Sequence, residues 1–471
     1  MQNGFSTLAL LLWPIVALWL YLTRPINQAT MWTILGGMLL LPVGVDIKLA
    51  PGIPQLDKVS IPNIAALAGC MLVGKHVRRP GHGIGFAEVL LSMFLIGPFI
   101  TSELNGDVLF IGGGNIIPAV GHYDALSAVV GQFIFILPFF LGRKFFASAT
   151  DTIDIIRTLV TAGLIYSVPL LLEVRLSPQL HYWFYGFSPS DFVQGVRSGG
   201  YRPMAFMGHG LLAAFFVMTT VVAAAALWRT RTRILRFIPA IVTASLGAML
   251  ILCKSLGALT YGVALVPLVR LGPPRLQLGV ASVLVTIAMA YPVLRIADAV
   301  PTDTMLEIAA SASADRRQSL EFRFDQEAQL LAHDSERLLF GWGRFGRARV
   351  YDPEFGKDIS VTDGHWIITM GQFGIFGFLA EFGLLALPVF RAASALRFTT
   401  SRSDAVYLAA LALIVAINMI DLLPNSSIMP WTWLLAGALL GRTEALRAAS
   451  ASRRAAASVL MGNGARKRVS A

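Results

Sequence analysis

The stretch Thr362-Asp363-Gly364-His365-Trp366-Ile367-Ile368 joins the most polar part of the chain to one of its longest apolar runs. Residues 295–365, on its N-terminal side, form the largest hydrophilic segment. The apolar run on its C-terminal side continues through Leu379. An acidic residue and a histidine at such a boundary are the first candidates for a functional site. The rest of the chain is expected to position this boundary at a membrane.

The composition is that of a multi-pass membrane protein. Of the 471 residues, 55% are hydrophobic and 14% are charged, whereas soluble proteins carry about 25% charged residues. Apolar runs of transmembrane length recur along the chain. The formal charge of +11 sits in short basic turns between these runs, which is the positive-inside pattern and argues against a nucleic-acid partner. Both cysteines lie in apolar runs, so no disulfide is expected.

The apolar runs predict an all-α polytopic membrane protein, a bundle of about 12–13 transmembrane helices with one large external loop. Lys and Arg cluster after the odd-numbered runs, for example at 75–79, 143–144 and 229–236. This pattern places the C-terminus in the cytoplasm and the large loop outside. The predicted parts are a transmembrane bundle of about ten spans at 1–294, the loop at 295–365, further transmembrane helices at 366–441, and a basic, disordered cytoplasmic tail at 442–471.

The large loop is predicted to contain an amphipathic helix on or near the membrane surface. Either Ser313 or Asp315 is a suitable N-cap for it. Its apolar residues recur at helical spacing: Leu320, Phe324, Ala328, Leu331 and Leu338.

Arginines in the predicted external segments need an explanation, because the positive-inside rule disfavours them there. Arg197 and Arg202 precede the seventh apolar run, and Arg323 and Arg344 are among those of the large loop. Arg is suited to bidentate binding of phosphate oxygens, so these side chains are candidates for holding the pyrophosphate of a lipid carrier. The alternative is local pairing, such as Arg323 with Glu327 four residues later.

His365 and Asp363 are the candidate acid–base residues. A histidine can accept a proton near pH 7, and a bend at Gly364 would bring Asp363 towards it. The structural alternative is a helix that begins at His365 with Asp363 as its N-cap. His209, at the start of the seventh apolar run, is the second candidate histidine, with a hydrogen bond inside the bundle as its alternative role.

No motif in the sequence indicates a metal or a nucleotide. HExxH, Cys/His pairs at ligand spacing and the Walker motif are all missing from the sequence. We therefore expect no metal and no cofactor. An external transferase without a nucleotide needs a donor that is already activated, and a lipid-linked sugar fits this requirement.

Four segments resemble motifs of one family of bacterial inner-membrane proteins. In chain order they are Tyr201–Phe206, Lys254–Ala258, Arg323 with the later turn Leu338-Leu339-Phe340-Gly341-Trp342-Gly343, and His365 followed by Gly371, Gly374 and Gly377. Together they are similar to the O-antigen ligase and polysaccharide polymerase family. The resemblance covers roughly residues 197–440.

The resemblance implies a metal-independent glycosyltransferase at the periplasmic face of the bacterial inner membrane. Its donor would be a glycan on undecaprenyl pyrophosphate, its acceptor a glycan or a lipid, and other polysaccharide-assembly proteins would be possible partners. His365 would activate the acceptor hydroxyl, and Arg202 and Arg323 would bind the pyrophosphate. Trp366 stands where the family usually has Asn, which keeps Asp363 as an alternative base. The sequence leaves polymerase and ligase open.

A transporter or flippase of a lipid-linked glycan, or of another anionic envelope precursor, is the competing class. Its external arginines would recognise the substrate without any chemistry. Such proteins usually carry ionisable residues within their spans and visible internal repeats. The apolar runs here are nearly free of charge and show no clear repeat, which favours the transferase.

Overall fold

The computed structural model describes residues 3–48, 54–73, 85–197, 199–234 and 236–469. Within these ranges the side chains at 193–194, 197, 312, 315 and 456–469 are not described. The basic turn predicted at 75–79 lies outside the described residues.

The described residues form a helical bundle with two small hairpins. The helices are α1 (Gly4–Thr23), α2 (Ile26–Leu40), α3 (Ser60–Val73), α4 (Phe86–Glu103), α5 (His122–Phe145), α6 (Ala149–Leu176), α7 (Leu180–Tyr185), α8 (Phe192–Gly195), α9 (Gly210–Thr230), α10 (Pro239–Leu252), α11 (Leu256–Leu271), α12 (Pro274–Ile296), α13 (Thr302–Ala312), α14 (Ala314–Asp334), α15 (His365–Ala395), α16 (Arg402–Asp421) and α17 (Pro430–Val469). Short 3-10 helices cover Ser335–Arg337 and Leu396–Phe398. The antiparallel hairpins pair β1 (Leu109–Gly112) with β2 (Asn115–Ile117), and β3 (Val196–Arg197) with β4 (Gly200–Tyr201).

The helices have the length and composition of membrane spans. In the described part of the chain, eight are long and apolar enough to cross a bilayer: α1, α4, α5, α6, α9, α12, α15 (continued to Phe398) and α16. Three shorter apolar helices, α3, α10 and α11, accompany them. The chain is therefore an all-α protein with the helices of a multi-pass membrane protein. The total of 12–13 spans stays a prediction.

Contacts between helix ends show that the long helices alternate in direction. At one end of the bundle, here called the loop end, the amide of His365 at the start of α15 donates to the carbonyl of Leu422 after α16 (2.9 Å). At the opposite end, here called the basic end, Arg143 of α5 pairs with Glu88 of α4 (2.6 Å) and Glu444 of α17 (2.8 Å). The large loop and the described candidate site residues lie at the loop end.

Helix α15 is not one continuous rod, because it breaks at Gly374 (φ 65°, ψ −167°). A straight helix would separate residues 365 and 381 by about 24 Å, yet His365 Nε2 lies 2.9 Å from Glu381 Oε1. The segments before and after the break, here called α15a (365–373) and α15b (375–395), therefore fold back on each other. The transmembrane helices predicted from residue 366 therefore begin with a helix that is interrupted at Gly374, which its apolar composition does not indicate. α15b alone, about 30 Å long, is enough to span a membrane.

The segment Leu338–Gly343, here called the capping turn, closes the break in α15. Broken helices leave unpaired backbone groups, each costing several kcal/mol in a membrane interior. Four backbone hydrogen bonds satisfy them here: Trp342 N to Gly371 O (2.8 Å), Gly343 N to Gln372 O (3.0 Å), Ile375 N to Leu338 O (2.9 Å) and Phe376 N to Leu339 O (3.1 Å). Two motifs that are far apart in the sequence thus form one unit.

Glycine is required where the capping turn meets the break. A Cβ on Gly374 would overlap the backbone carbonyl of Leu339, and its φ and ψ angles fall in a region open almost only to glycine. Gly341 (φ 71°) faces it from the turn, and a Cβ there would lie 2.6 Å from the carbonyl carbon of Gln372.

Helix α14 is the helix predicted in the large loop, and Ser313 caps it by accepting a hydrogen bond from the amide of Arg316 (3.3 Å). Its buried face differs from the predicted apolar stripe, because Ala328 is exposed and Glu327 is buried. Glu327 accepts from Arg295 Nε at the end of α12 (3.2 Å). This ion pair turns the face of α14 that carries Glu327 towards the bundle. Hydropathy does not reveal such a pair.

The predicted disordered tail at 442–471 also differs from the structure, since α17 continues as a helix to Val469. The tail is rich in Ala and Arg, which favour helix. Its first turn is tied to the bundle by the ion pair between Arg442 and Asp404 (2.6 Å).

We predict that Gly374→Ala lowers the free energy of unfolding by about 3 kcal/mol or more, because it combines a strained backbone with a clash against the capping turn. Thermal unfolding in detergent, followed by tryptophan fluorescence, measures the change. Gly279→Ala in α12 is the matched control, because a Cβ there meets no atom within 4 Å. Equal melting temperatures for the two variants would contradict the proposed packing of the break.

Candidate functional site

Four of the predicted site residues line one cavity at the loop end. This cavity, here called the arginine cavity, has a volume of ≈ 350 Å³ and is lined by Arg202, His209, Arg323 and Asp363. Residues 424–427, which connect α16 to α17, complete its wall. The arginines come from segments more than a hundred residues apart in the chain, so the fold brings together two of the loops that the sequence singled out.

Arg323 reaches from α14 to the segment that precedes α15. Its Nε lies 3.2 Å from Asp363 Oδ2, and its Nη1 donates to the carbonyl of Pro424 (3.5 Å). The alternative pairing of Arg323 with Glu327 does not form, because Glu327 is bound to Arg295. Asp363 is also not the N-cap of α15, a position held by Gly364. Asp363 thus orients an arginine at the cavity.

Arg202 and His209 enter the arginine cavity from the segment before α9. Arg202 is buried, and its Nη2 donates to the carbonyl of Lys254 between α10 and α11 (3.2 Å). His209 is the N-cap of α9, and its Nδ1 accepts from the amide of Leu211 (3.1 Å). Because Nδ1 accepts, a neutral His209 carries its proton on Nε2.

His365 and Arg344 line a second cavity, here called the histidine cavity, of ≈ 290 Å³. Glu381, Gln132 and Gln372 also line it. Ser426 links the two cavities: it lines the arginine cavity, and its carbonyl oxygen lies 3.0 Å from His365 Nδ1 in the histidine cavity.

His365 and Glu381 form a buried pair with a defined proton arrangement. A backbone carbonyl can only accept, so His365 Nδ1 must carry a proton and donate it to Ser426. His365 Nε2 and Glu381 Oε1, 2.9 Å apart, then share a further proton. The second carboxylate oxygen, Oε2, accepts from the hydroxyl of Thr369 (2.8 Å). The pair can take up one more proton at the carboxylate.

The predicted pairing of Asp363 with His365 is not what the structure shows. The bend at Gly364 leaves Asp363 with Arg323 on the arginine cavity, while His365 turns to Glu381 on the histidine cavity. Sequence reasoning missed Glu381. The available signal was an acidic residue inside the apolar run 366–390, a position where charge is rare and is usually functional.

Arg344 lies in the histidine cavity rather than with Arg202 and Arg323. Burial lowers the pKa of its guanidinium, opposed by the charge of Asp124. Among the described residues it has no hydrogen bond or ion pair, and its guanidinium carbon lies 5.5 Å from the ring centroid of Phe345. The side chain of Arg197 lies outside the described residues, so its substrate-binding role stays a prediction.

Two other arginines of the large loop are structural. Arg347 is fully buried and donates to the carbonyl of Trp342 in the capping turn (3.1 Å) and to Asp107 (2.9 Å). Arg337 binds the other oxygen of Asp107 (2.8 Å), and this hydrogen bond lowers the pKa of Asp107. These contacts hold the capping turn in place.

The described residues hold no group of three or more His, Cys, Asp and Glu side chains placed to bind a metal ion. In comparisons with known proteins, neither a family model nor a curated protein matches the chain. The function must therefore be argued from the two cavities themselves.

Asp334, the last residue of α14, is buried against α15a without a hydrogen-bond partner for either carboxyl oxygen within the described structure. A Cβ on Gly371 would lie 3.1 Å from Asp334 Oδ1. Burial raises the pKa of Asp334 to about 8. The folded protein therefore keeps this carboxyl neutral where the unfolded chain would ionise it.

We predict that Asp334→Asn stabilises the protein more at pH 8 than at pH 5. As pH rises from about 4 to about 8, the unfolded chain loses a proton that the folded state retains, so wild-type stability falls across this range and then levels off. The variant should gain about 1–3 kcal/mol at pH 8. Melting temperatures at the two pH values measure this, with Asp325→Asn on the exposed side of α14 as the control. A gain independent of pH would show that Asp334 is not held neutral.

Proposed function

We propose that the protein is a membrane glycosyltransferase that uses a glycan carried on undecaprenyl pyrophosphate, as a polysaccharide polymerase or an O-antigen ligase. The observation that carries the proposal is the arrangement of the two cavities. Arg202 and Arg323 line one, a buried His365–Glu381 pair lines the other, and Ser426, which lines the first, contacts His365 in the second. A site for an anionic leaving group thus adjoins an acid–base pair.

The arginine cavity would bind the pyrophosphate of the donor. Arg202 and Arg323 are positively charged, and a guanidinium binds two phosphate oxygens at once. The Nε2–H of His209 would add a third donor. Arg202 is held by the carbonyl of Lys254, and Arg323 is held by Asp363, before substrate arrives. Both arginines would therefore stabilise the developing charge of the leaving group without reorganisation.

In the transfer step, the oxygen of an acceptor hydroxyl attacks the anomeric carbon of the donor sugar. The bond between that carbon and the pyrophosphate oxygen breaks, and the pyrophosphate leaves with the electron pair. The hydroxyl proton passes to the His365–Glu381 pair, whose carboxylate has room for it. Asp363 is not part of this pair, because it lies on the arginine cavity beside Arg323.

The proposed orientation places the loop end in the periplasm of the bacterial inner membrane. Support comes from the opposite end, where Arg143, Arg229 and Arg391 lie near the C-terminal ends of their helices, and Arg442 lies within α17. Such clustering of basic residues is typical of the cytoplasmic side.

We predict that Arg202→Ala and Arg323→Ala each lower glycan transfer by about 100-fold or more, because each removes charge stabilisation of the leaving group. The assay uses purified protein in liposomes with a lipid-linked glycan donor and measures new glycosidic bonds. Arg317→Ala is the control, because Arg317 is exposed on α14. Its only ion pair among the described residues is a weak one, with Nε 4.0 Å from Glu321 Oε2. Normal product from both cavity variants would overturn the pyrophosphate assignment.

We predict that Glu381→Gln lowers the transfer rate by about 10²–10⁴-fold at an unchanged melting temperature. If His365 and Glu381 act as one unit, the double variant His365→Ala/Glu381→Gln loses no more than the worse single variant. The double variant Asp363→Asn/His365→Ala should instead lose the product of the two single losses, because these side chains have different partners. A multiplicative loss for the His365/Glu381 pair would show that the two do not share a proton.

A transporter of the same class of substrate is the second candidate function. A buried His–Glu pair and a broken helix are both common in ion-coupled transporters, and the sequence had suggested nearly uncharged spans. The liposome assay separates the two functions. Movement of the lipid-linked glycan across the bilayer without any new bond would favour transport, and acceptor-linked glycan or longer chains would favour transfer.

A further inference from the structure

Three polar side chains face the histidine cavity without protein partners. Gln132 of α5, Gln372 of α15a and Arg344 line it, and none has a side-chain hydrogen bond or an ion pair to another described residue. The Oε1 of Gln132 is moreover fully buried. Buried polar groups are normally satisfied, so the Gln132 oxygen indicates a missing partner. Gln372 and Arg344 are half-buried, and their polar atoms are free to hydrogen-bond a ligand in the same cavity.

Three aromatic rings also line the histidine cavity, beside the aliphatic side chains of Ala128 and Ile368. Phe94 of α4, Phe135 of α5 and Phe373 of α15a line it. Rings beside amide and guanidinium groups match a ligand with both apolar CH faces and hydroxyls, which is the surface of a sugar. A lipid tail would leave the three polar groups unsatisfied. A phosphate would meet the carboxylate of Glu381 and cannot donate a hydrogen bond to Gln132.

We propose that the histidine cavity is the acceptor subsite, and that it binds the terminal sugar of a hydroxyl-bearing glycan through Gln132, Gln372 and Arg344. This inference rests on the proposed transferase function. It places the second substrate, the acceptor, in the histidine cavity. Donor pyrophosphate and acceptor sugar then lie in two adjoining cavities that meet at Ser426, and the acceptor hydroxyl lies next to Glu381.

The first test compares three variants of α5 in the liposome assay. The donor is the lipid-linked glycan, and the acceptor is the same glycan released from its lipid by mild acid. Gln132→Leu and Phe135→Leu, which alter the cavity, should raise the KM for the acceptor about tenfold, the effect of one lost hydrogen bond or ring contact. The KM for the donor should not change. Phe133→Leu is the matched control, because its ring is 42% exposed on another side of the same helix.

The second test measures binding without turnover. The released glycan is added to detergent-solubilised protein and detected by saturation-transfer NMR. Wild type and Phe133→Leu should bind it, and Gln132→Leu should bind it about tenfold more weakly at an unchanged melting temperature. This result would support a sugar site even if no transfer were detected, so the subsite and the transferase function can fail separately.

Two results would overturn the acceptor subsite. One is an unchanged acceptor KM and unchanged glycan binding in Gln132→Leu. The other is a raised donor KM with an unchanged acceptor KM, which would mean that the histidine cavity holds the donor instead.

Discussion

Four backbone hydrogen bonds between the capping turn and the break in α15 are the constraint on which the site depends. Without them, the broken helix would leave carbonyl and amide groups unpaired in an apolar bundle, at a cost of several kcal/mol each. With them, α15a can fold back along α15b. That fold-back brings His365 to Glu381, sixteen residues further along the chain. The acid–base pair is therefore a consequence of how one helix is interrupted.

The same constraint ties the large loop to the bundle. Arg337 and Arg347 share Asp107, which follows α4, and Arg347 also holds the carbonyl of Trp342 in the capping turn. Because the turn closes α15, contacts made outside the apolar bundle determine where His365 sits inside it. The loop arginines consequently divide into two kinds: those that hold the turn, and those, such as Arg323, that line a cavity.

The sequence predicts the helices well and the site only in part. Apolar length predicts membrane spans, and the described part of the chain has eight helices of that length and composition; this signal is local. The break was not predicted, although Gly374 and Gly341 occupy backbone conformations that favour glycine. The partners of His365 and Asp363 depend instead on the fold-back and on α14, whose rotation is set by the buried Glu327. Hydropathy and spacing carry no information on such distant pairings, so the pairing of His365 with Glu381 could not be predicted, although an acidic residue within an apolar run was visible.

The anchoring of the His365–Glu381 pair bears on which function it serves. A coupled transporter must expose its titratable groups to each side of the membrane in turn. Here the amide of His365 is held by the carbonyls of Leu422 and Asn425, and its ring by that of Ser426. Moving α15a would break these bonds as well as the four that close the break. An acid–base pair held this rigidly between two cavities suits chemistry between two substrates, where fixed orientation accelerates reaction, better than it suits alternating access.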